Sequence, residues 1–177
     1  MEPILINRCR MDEETYRKAF SRVLRNYQII LYIGAGIMTA CGILYAVVSG
    51  FTEWGMALLF LVLAGVEIYL ALTTASRTAK LNVRRLEEVR GVKAFDTWVE
   101  FYPEEYHGCS EYVDEPTKTP YDRLKKIMEG DGVLLLYTKT RQFFVLECNR
   151  FQMGTLEDFW KLMNEKAPHA VPAKHRK

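Results

Sequence analysis

The sequence has little with which to do chemistry. Histidine occurs three times, at His107, His169 and His175, and cysteine four times, at Cys9, Cys41, Cys109 and Cys148. No two cysteines stand in C-x-x-C spacing, and H-E-x-x-H, G-x-S-x-G and glycine-rich phosphate loops are all missing. Each absence removes a common route to metal binding, nucleophilic catalysis or nucleotide binding. His107 and Cys109 lie two positions apart, which on a strand holds them about 6–7 Å apart, too far for direct proton transfer. No catalytic, cofactor-binding or metal-binding residue is therefore expected, and the scattered cysteines read as reduced structural thiols. Charge of one sign is lacking too. With 24 Lys and Arg against 22 Asp and Glu, the net of +2 excludes nucleic-acid binding by bulk electrostatics. The amino-terminal stretch carries acids and no apolar core before a small-residue cleavage site, so no removable signal peptide is expected.

Charge is missing altogether from residues 29–48, and residues 54–75 carry only Glu67. A mean hydropathy of -0.10 conceals this segregation. About twenty residues at ~1.5 Å each span the ~30 Å hydrocarbon layer of a bilayer. Residues 27–75 therefore read as a transmembrane helical hairpin, with spans at about 28–49 and 54–75 joined by the turn Ser49-Gly50-Phe51-Thr52-Glu53. Arg17, Lys18, Arg22 and Arg25 precede it and Arg77, Lys80, Arg84, Arg85 and Arg90 follow it, whereas the turn holds only Glu53. That asymmetry predicts a multi-pass protein with both termini cytoplasmic.

Outside the hairpin the patterns are short. In the segment 1–26, residues 4–10 alternate as a strand, and Asp12 then caps a helix that begins near Glu13 and runs into the first span. Residues 76–91 contain no proline or glycine before Gly91 and extend the second span, which places Phe20 near Val83 in a cytoplasmic stalk. From 92 to 167 the period turns to two. A strand is expected at 95–102, a poorer one at 105–113, a loop at 114–120, a helical turn passing into a strand over 121–129, and a hairpin from 133–138 and 142–147. Thr155 and Asp158 approximate a capping box for a helix with Leu156, Phe159, Trp160 and Met163 on its apolar stripe. The basic tail 168–177 reads as disordered. If both helices leave the membrane together, the first strand can join the later sheet.

Several of these segments together resemble a known family. They are Asp12-Glu13-Glu14-Thr15-Tyr16 at the helix start, the two-span hairpin, and Pro120-Tyr121-Asp122-Arg123-Leu124-Lys125-Lys126-Ile127-Met128-Glu129 followed by a β-hairpin, Phe151 and a closing helix. Over essentially its whole length the chain resembles the YcxB-like family of small bacterial membrane proteins. It departs at Asn149-Arg150, where the family often has proline and lysine. The resemblance implies a small pleckstrin-homology-like (PH-like) cytoplasmic domain in a bacterial inner-membrane protein and implies no activity. The expected fold class is membrane α+β: a transmembrane two-helix hairpin with helical cytoplasmic extensions, plus a small antiparallel PH-like β domain closed by the carboxy-terminal helix.

Three groups of residues stand out as candidates. Glu67, facing the region of Gly36 with Tyr32 and Thr39 in reach, is either a protonated acid bonded within the helix pair or a contact to a partner helix or relay. Gly36, Ala40, Gly42 and Ala46 are small residues for helix packing, inside the hairpin or between two copies. Lys125, Lys126, Lys139 and Arg141 are either solvated loop charge or contacts to anionic lipid. The expected partners are the lipid bilayer and a protein or second copy bound through the hairpin or the PH-like domain, and no nucleic acid. Function is expected to be binding or regulation rather than catalysis, with a small accessory subunit of a transport assembly, or a membrane enzyme with an unrecognised site, as alternatives.

Overall fold

A computed structural model of the chain describes residues 2–50 and 54–176; Phe51, Thr52 and Glu53 of the expected turn lie outside the described residues. The chain runs β1 (Leu5–Met11), α1 (Glu13–Val23), α2 (Arg25–Val48), α3 (Trp54–Arg90), β2 (Phe95–Phe101), β3 (Glu105–Ser110), β4 (Val113–Pro120), β5 (Leu124–Gly130), β6 (Val133–Thr138), β7 (Phe143–Glu147), β8 (Phe151–Met153) and α4 (Leu156–Lys166). It combines two long apolar helices with antiparallel sheets, an α+β architecture.

Helices α2 and α3 are each long and apolar enough to cross a membrane. Their contact is a heptad seam of small residues. Ala57, Ala64 and Ala71 recur every seventh residue on α3 and are buried, and Gln28, Ala35 and Gly42 recur with the same period on α2. A period of seven keeps one narrow stripe of each helix facing the other, and alanine and glycine let the backbones approach closely. The Gln28 amide donates to the Ala71 carbonyl at 3.0 Å and fixes the register. Beyond it the seam continues through Ala75, Ala79 and Val83, where α1 replaces α2 as the partner.

Asp12 caps α1 by accepting from the Thr15 amide at 2.9 Å, and Glu13 and Glu14 complement its positive end. The helix expected to run unbroken into α2 is interrupted at Leu24, whose ψ of 1° leaves the helical region. Phe20 turns toward the sheet, with its ring edge-on to Phe143 at 6.1 Å and stacked on Tyr16.

The strands form a five-stranded sheet in the order β4-β3-β2-β1-β8 and a three-stranded sheet in the order β5-β6-β7, antiparallel throughout. β1 pairs with β2 along its whole length, from Leu5 opposite Phe101 to Met11 opposite Phe95. Both long helices are thus inserted between two neighbouring strands of one sheet. The aromatic side chains of Phe101, Tyr106 and Phe159 fill the core between the sheets and α4, with Leu134, Leu136 and Leu146 from the smaller sheet. Asn7, 1 % exposed, clasps β1 to β7: its amide donates to the Glu147 carbonyl at 2.8 Å and its oxygen accepts from the Glu147 amide at 3.1 Å.

Two expectations about the β unit and the tail need correction. Residues 114–120, expected as loop, form β4, an exposed edge strand in which Pro116 and Pro120 are tolerated because one edge has no neighbour. The first strand does join the later sheet, so the β unit takes in β1 from before the hairpin together with residues 92–167. The tail is not disordered over 168–176: Ala170 and Val171 are buried, the Ala170 carbonyl accepts from the Ile127 amide at 2.9 Å, and the His175 ring stacks on Trp160 at 3.9 Å. Two small apolar residues suffice to anchor a segment whose composition is otherwise that of a solvated tail.

Candidate functional site: the helical seam and the basic cleft at its foot

Glu67 sits on the seam opposite Gly34, two residues from the expected Gly36. A Cβ on Gly34 would lie 2.9 Å from Glu67 Oε2, so the carboxylate occupies space that only glycine leaves open. Oε2 is buried and has no hydrogen-bond partner among the described residues. Neither expected partner bonds it. Thr39 Oγ1 donates instead to the Ala35 carbonyl at 2.8 Å in its own helix, and Tyr32 is exposed on the outer surface. The reason is helical phase, which the register of Gln28 on Ala71 shifts away from these side chains.

The small residues separate into two sets. Gly42 is buried against α3, where an added Cβ would meet Phe60 Cβ at 3.1 Å and the Ala57 carbonyl oxygen at 3.3 Å, and half-buried Ala46 lines the same interhelical groove. Gly36 and Ala40 are exposed, and nothing lies within 4 Å of the Cβ position on Gly36. They take no part in packing within the hairpin, which uses the heptad seam; regular seven-residue spacing of alanine was the sequence signal for it.

The basic candidates lie together at one end of the smaller sheet. The first half of α1 packs near the β5–β6 turn, where Asp12, Thr15 and Lys18 share a cleft with Asp131, Val133 and Glu147. The end of α1 and the start of α2 pack along β5 itself, where Arg22, Arg25 and Asn26 share a second cleft with Lys126, Glu129 and Lys174. α1 thus passes from the β5–β6 turn onto β5, which carries Lys125 and Lys126, and Lys139 and Arg141 lie in the β6–β7 turn that meets the start of β5. All four are exposed. Lys126 is 5.6 Å above the Tyr137 ring, and the Lys139 amide donates to the Arg123 carbonyl at 2.9 Å. Arg141 holds the turn with a φ of 64°.

The second cleft brings together residues that lie far apart in the chain. Arg22 lies flat on Gly130, where any Cβ would collide with the guanidinium, and reaches Asp131 at 3.8 Å. Glu129 Oε2 accepts from Lys174 Nζ at 2.5 Å and pairs with His175 Nε2 at 2.7 Å. Burial pushes its carboxyl upward, but the two hydrogen bonds prevail and hold it below the usual carboxylate range. Only the folded tail brings Lys174 to this position.

The residues best suited to chemistry are otherwise engaged. His107 Nε2 bonds Glu105 Oε1 at 2.8 Å, and burial raises the Cys109 thiol to about 11, which keeps it protonated at neutral pH. Cys9, buried beside Glu147, is pushed up further, chiefly by desolvation. Both sit where a thiolate nucleophile is disfavoured. Comparison with protein-family models, with curated proteins and with solved structures finds no match to this chain.

Proposed function

We propose that the chain is an integral membrane protein of the YcxB-like kind, whose hairpin spans a bacterial inner membrane and whose β unit is a PH-like binding or regulatory module on the cytoplasmic side. The observation that carries this reading is the insertion of both apolar helices between β1 and β2. Strands paired along their whole length must lie on the same side of any membrane, so the hairpin enters and leaves by one face. Large apolar side chains such as Ile30, Ile37, Leu44, Leu58 and Leu72 are exposed around both helices, as suits lipid and not water. The bases at the feet of the helices favour the cytoplasmic side. A meander of β1 to β4 beside a meander of β5 to β7, closed by α4, supports the PH-like reading. Engaged His107 and protonated Cys109 favour binding over catalysis.

Reporter fusions test the topology. Alkaline phosphatase inserted after Gly50 should be active and a fluorescent protein at the carboxy terminus should fluoresce; the opposite pattern refutes the reading. The unpartnered Oε2 of Glu67 favours a second reading, a small accessory subunit of a transport assembly in which a neighbouring helix supplies the donor. Affinity purification from native membranes distinguishes them: a transport complex that Glu67→Gln dissociates supports the second.

A further inference from the structure

We propose that the cleft between the α1–α2 junction and β5 binds the phosphate of an anionic phospholipid headgroup. The inference rests on the transmembrane reading and adds to it a ligand and a place. Arg22, Arg25, Lys126 and Lys174 line the cleft with a single carboxylate, Glu129, which is already occupied by Lys174 and His175. Its cationic donors exceed its acceptors. Arg25 has no ion pair among the described residues, Lys126 meets only the face of Tyr137, and Arg22 Nε is buried without an acceptor while its far end stands 3.8 Å from Asp131. Asn26 adds an amide at the rim. The cleft of about 270 Å³ suits a phosphate with its glycerol rather than a larger ligand.

Its depth matches a headgroup. Arg25 precedes the first residue of the uncharged run, Ile29, by one helical turn, about 6 Å along the axis. The polar zone on each side of the hydrocarbon is about 5–8 Å thick. On the neighbouring helix the Gln28–Ala71 bond sets the level, and Arg77 is the first base beyond it, with its guanidinium donating back to the Tyr69 hydroxyl at 2.7 Å. Both helices thus pass from apolar to basic at the height of the cleft. Lys125 adjoins Lys126 on β5 and adds to the positive charge of that strand. The phosphate of a lipid is already at this depth, whereas a soluble phosphate would have to be drawn from the cytoplasm.

The test uses the full chain purified in mild detergent, with native mass spectrometry counting bound phosphatidylglycerol against phosphatidylcholine, and with inorganic phosphate as competitor. Wild type should retain phosphatidylglycerol selectively. Arg25→Gln with Lys126→Gln should weaken that binding about 25-fold, at about fivefold per base. The charge-matched pair Arg90→Gln with Lys93→Gln, at the far end of α3, should leave it unchanged. Equal losses in both pairs would mean diffuse charge attraction, and displacement by inorganic phosphate would mean a site for a free anion; either result overturns the proposal. Alkaline extraction of the native membranes separates the two levels of failure. Release of wild-type protein there refutes the transmembrane reading and the headgroup site together, whereas retained protein without phosphatidylglycerol selectivity refutes the headgroup site alone.

Discussion

The carboxylate of Glu67 rests on the backbone of Gly34, while, two residues on, the Cβ position of Gly36 faces open space and Gly42 is pressed against Phe60 and Ala57, so three glycines of one helix meet three different surroundings. The Glu67 carboxyl is the end of a flexible side chain, and Gly34→Ala should displace it at less cost than a clash with backbone would carry. Gly42 faces Phe60 Cβ and the Ala57 carbonyl, atoms that move only with the helix, so Gly42→Val should cost about 1–3 kcal/mol. Gly36→Ala should cost nothing. Unfolding of the three variants by SDS from mild detergent orders them, and similar losses at all three would contradict the seam.

The clasp of Asn7 on Glu147 predicts a larger loss than its exposed neighbours. Asn7→Ala leaves a backbone amide and carbonyl of Glu147 without their buried partners, which should cost about 1–3 kcal/mol. Arg8→Ala, which removes an exposed pair to Asp96 and a contact over the Trp98 ring, should stay within about 1 kcal/mol. Thermal unfolding of both variants measures the difference.

Gly108 lies under the Phe144 ring, where a Cβ would come within 2.0 Å of Cε1. That ring is packed edge-on to Tyr106 and has little room to retreat. Gly108→Ala should therefore cost about 1–3 kcal/mol, and Phe144→Leu in the same chain should recover part of it. A double-mutant cycle in thermal stability reads the coupling; simple additivity would place the glycine's role elsewhere.

Acid should loosen the tail. The folded-state carboxyl of Glu129 titrates below the ordinary glutamate value of about 4.3, so the contacts to Lys174 and His175 contribute fully above that ordinary value and are lost as pH falls through the depressed one. Trp160 reports the change because His175 stacks on it. In a chain carrying Trp54→Phe and Trp98→Phe, its fluorescence should shift in that acid range, and Glu129→Gln should abolish the pH dependence.

What could be seen in the sequence was what is local. The hairpin of β6 and β7 and the capping box at Thr155 and Asp158 depend on neighbours within a few residues, and their alternation and cap chemistry are visible without tertiary contacts. β4 was hidden because six of its eight residues in a row are exposed, so no alternation marks it. β8, three residues long, exists only through its pairing with β1. The tail was hidden because Ala170 and Val171 are held by β5 and the core, and nothing near them in the chain announces this. At the candidate site the basic residues of β5 and the β6–β7 turn were recognisable by type, but the contribution of Arg22, Arg25 and Lys174 came from the packing of three distant segments. The partners assigned to Glu67 failed because a two-residue change in helix pairing rotates every facing side chain.

The insertion of the helices between β1 and β2 also orders events during synthesis. β1 emerges before either helix and its partner strand only after both, so the ladder from Leu5 to Met11 has nothing to pair with until the hairpin is complete. Under the transmembrane reading, the sheet can close only when both helices have crossed and returned. A chain whose second helix failed to return would keep β2 on the wrong side, leaving β1 an open edge and Asn7 without Glu147. Completion of the β unit under that reading therefore depends on complete insertion of the hairpin.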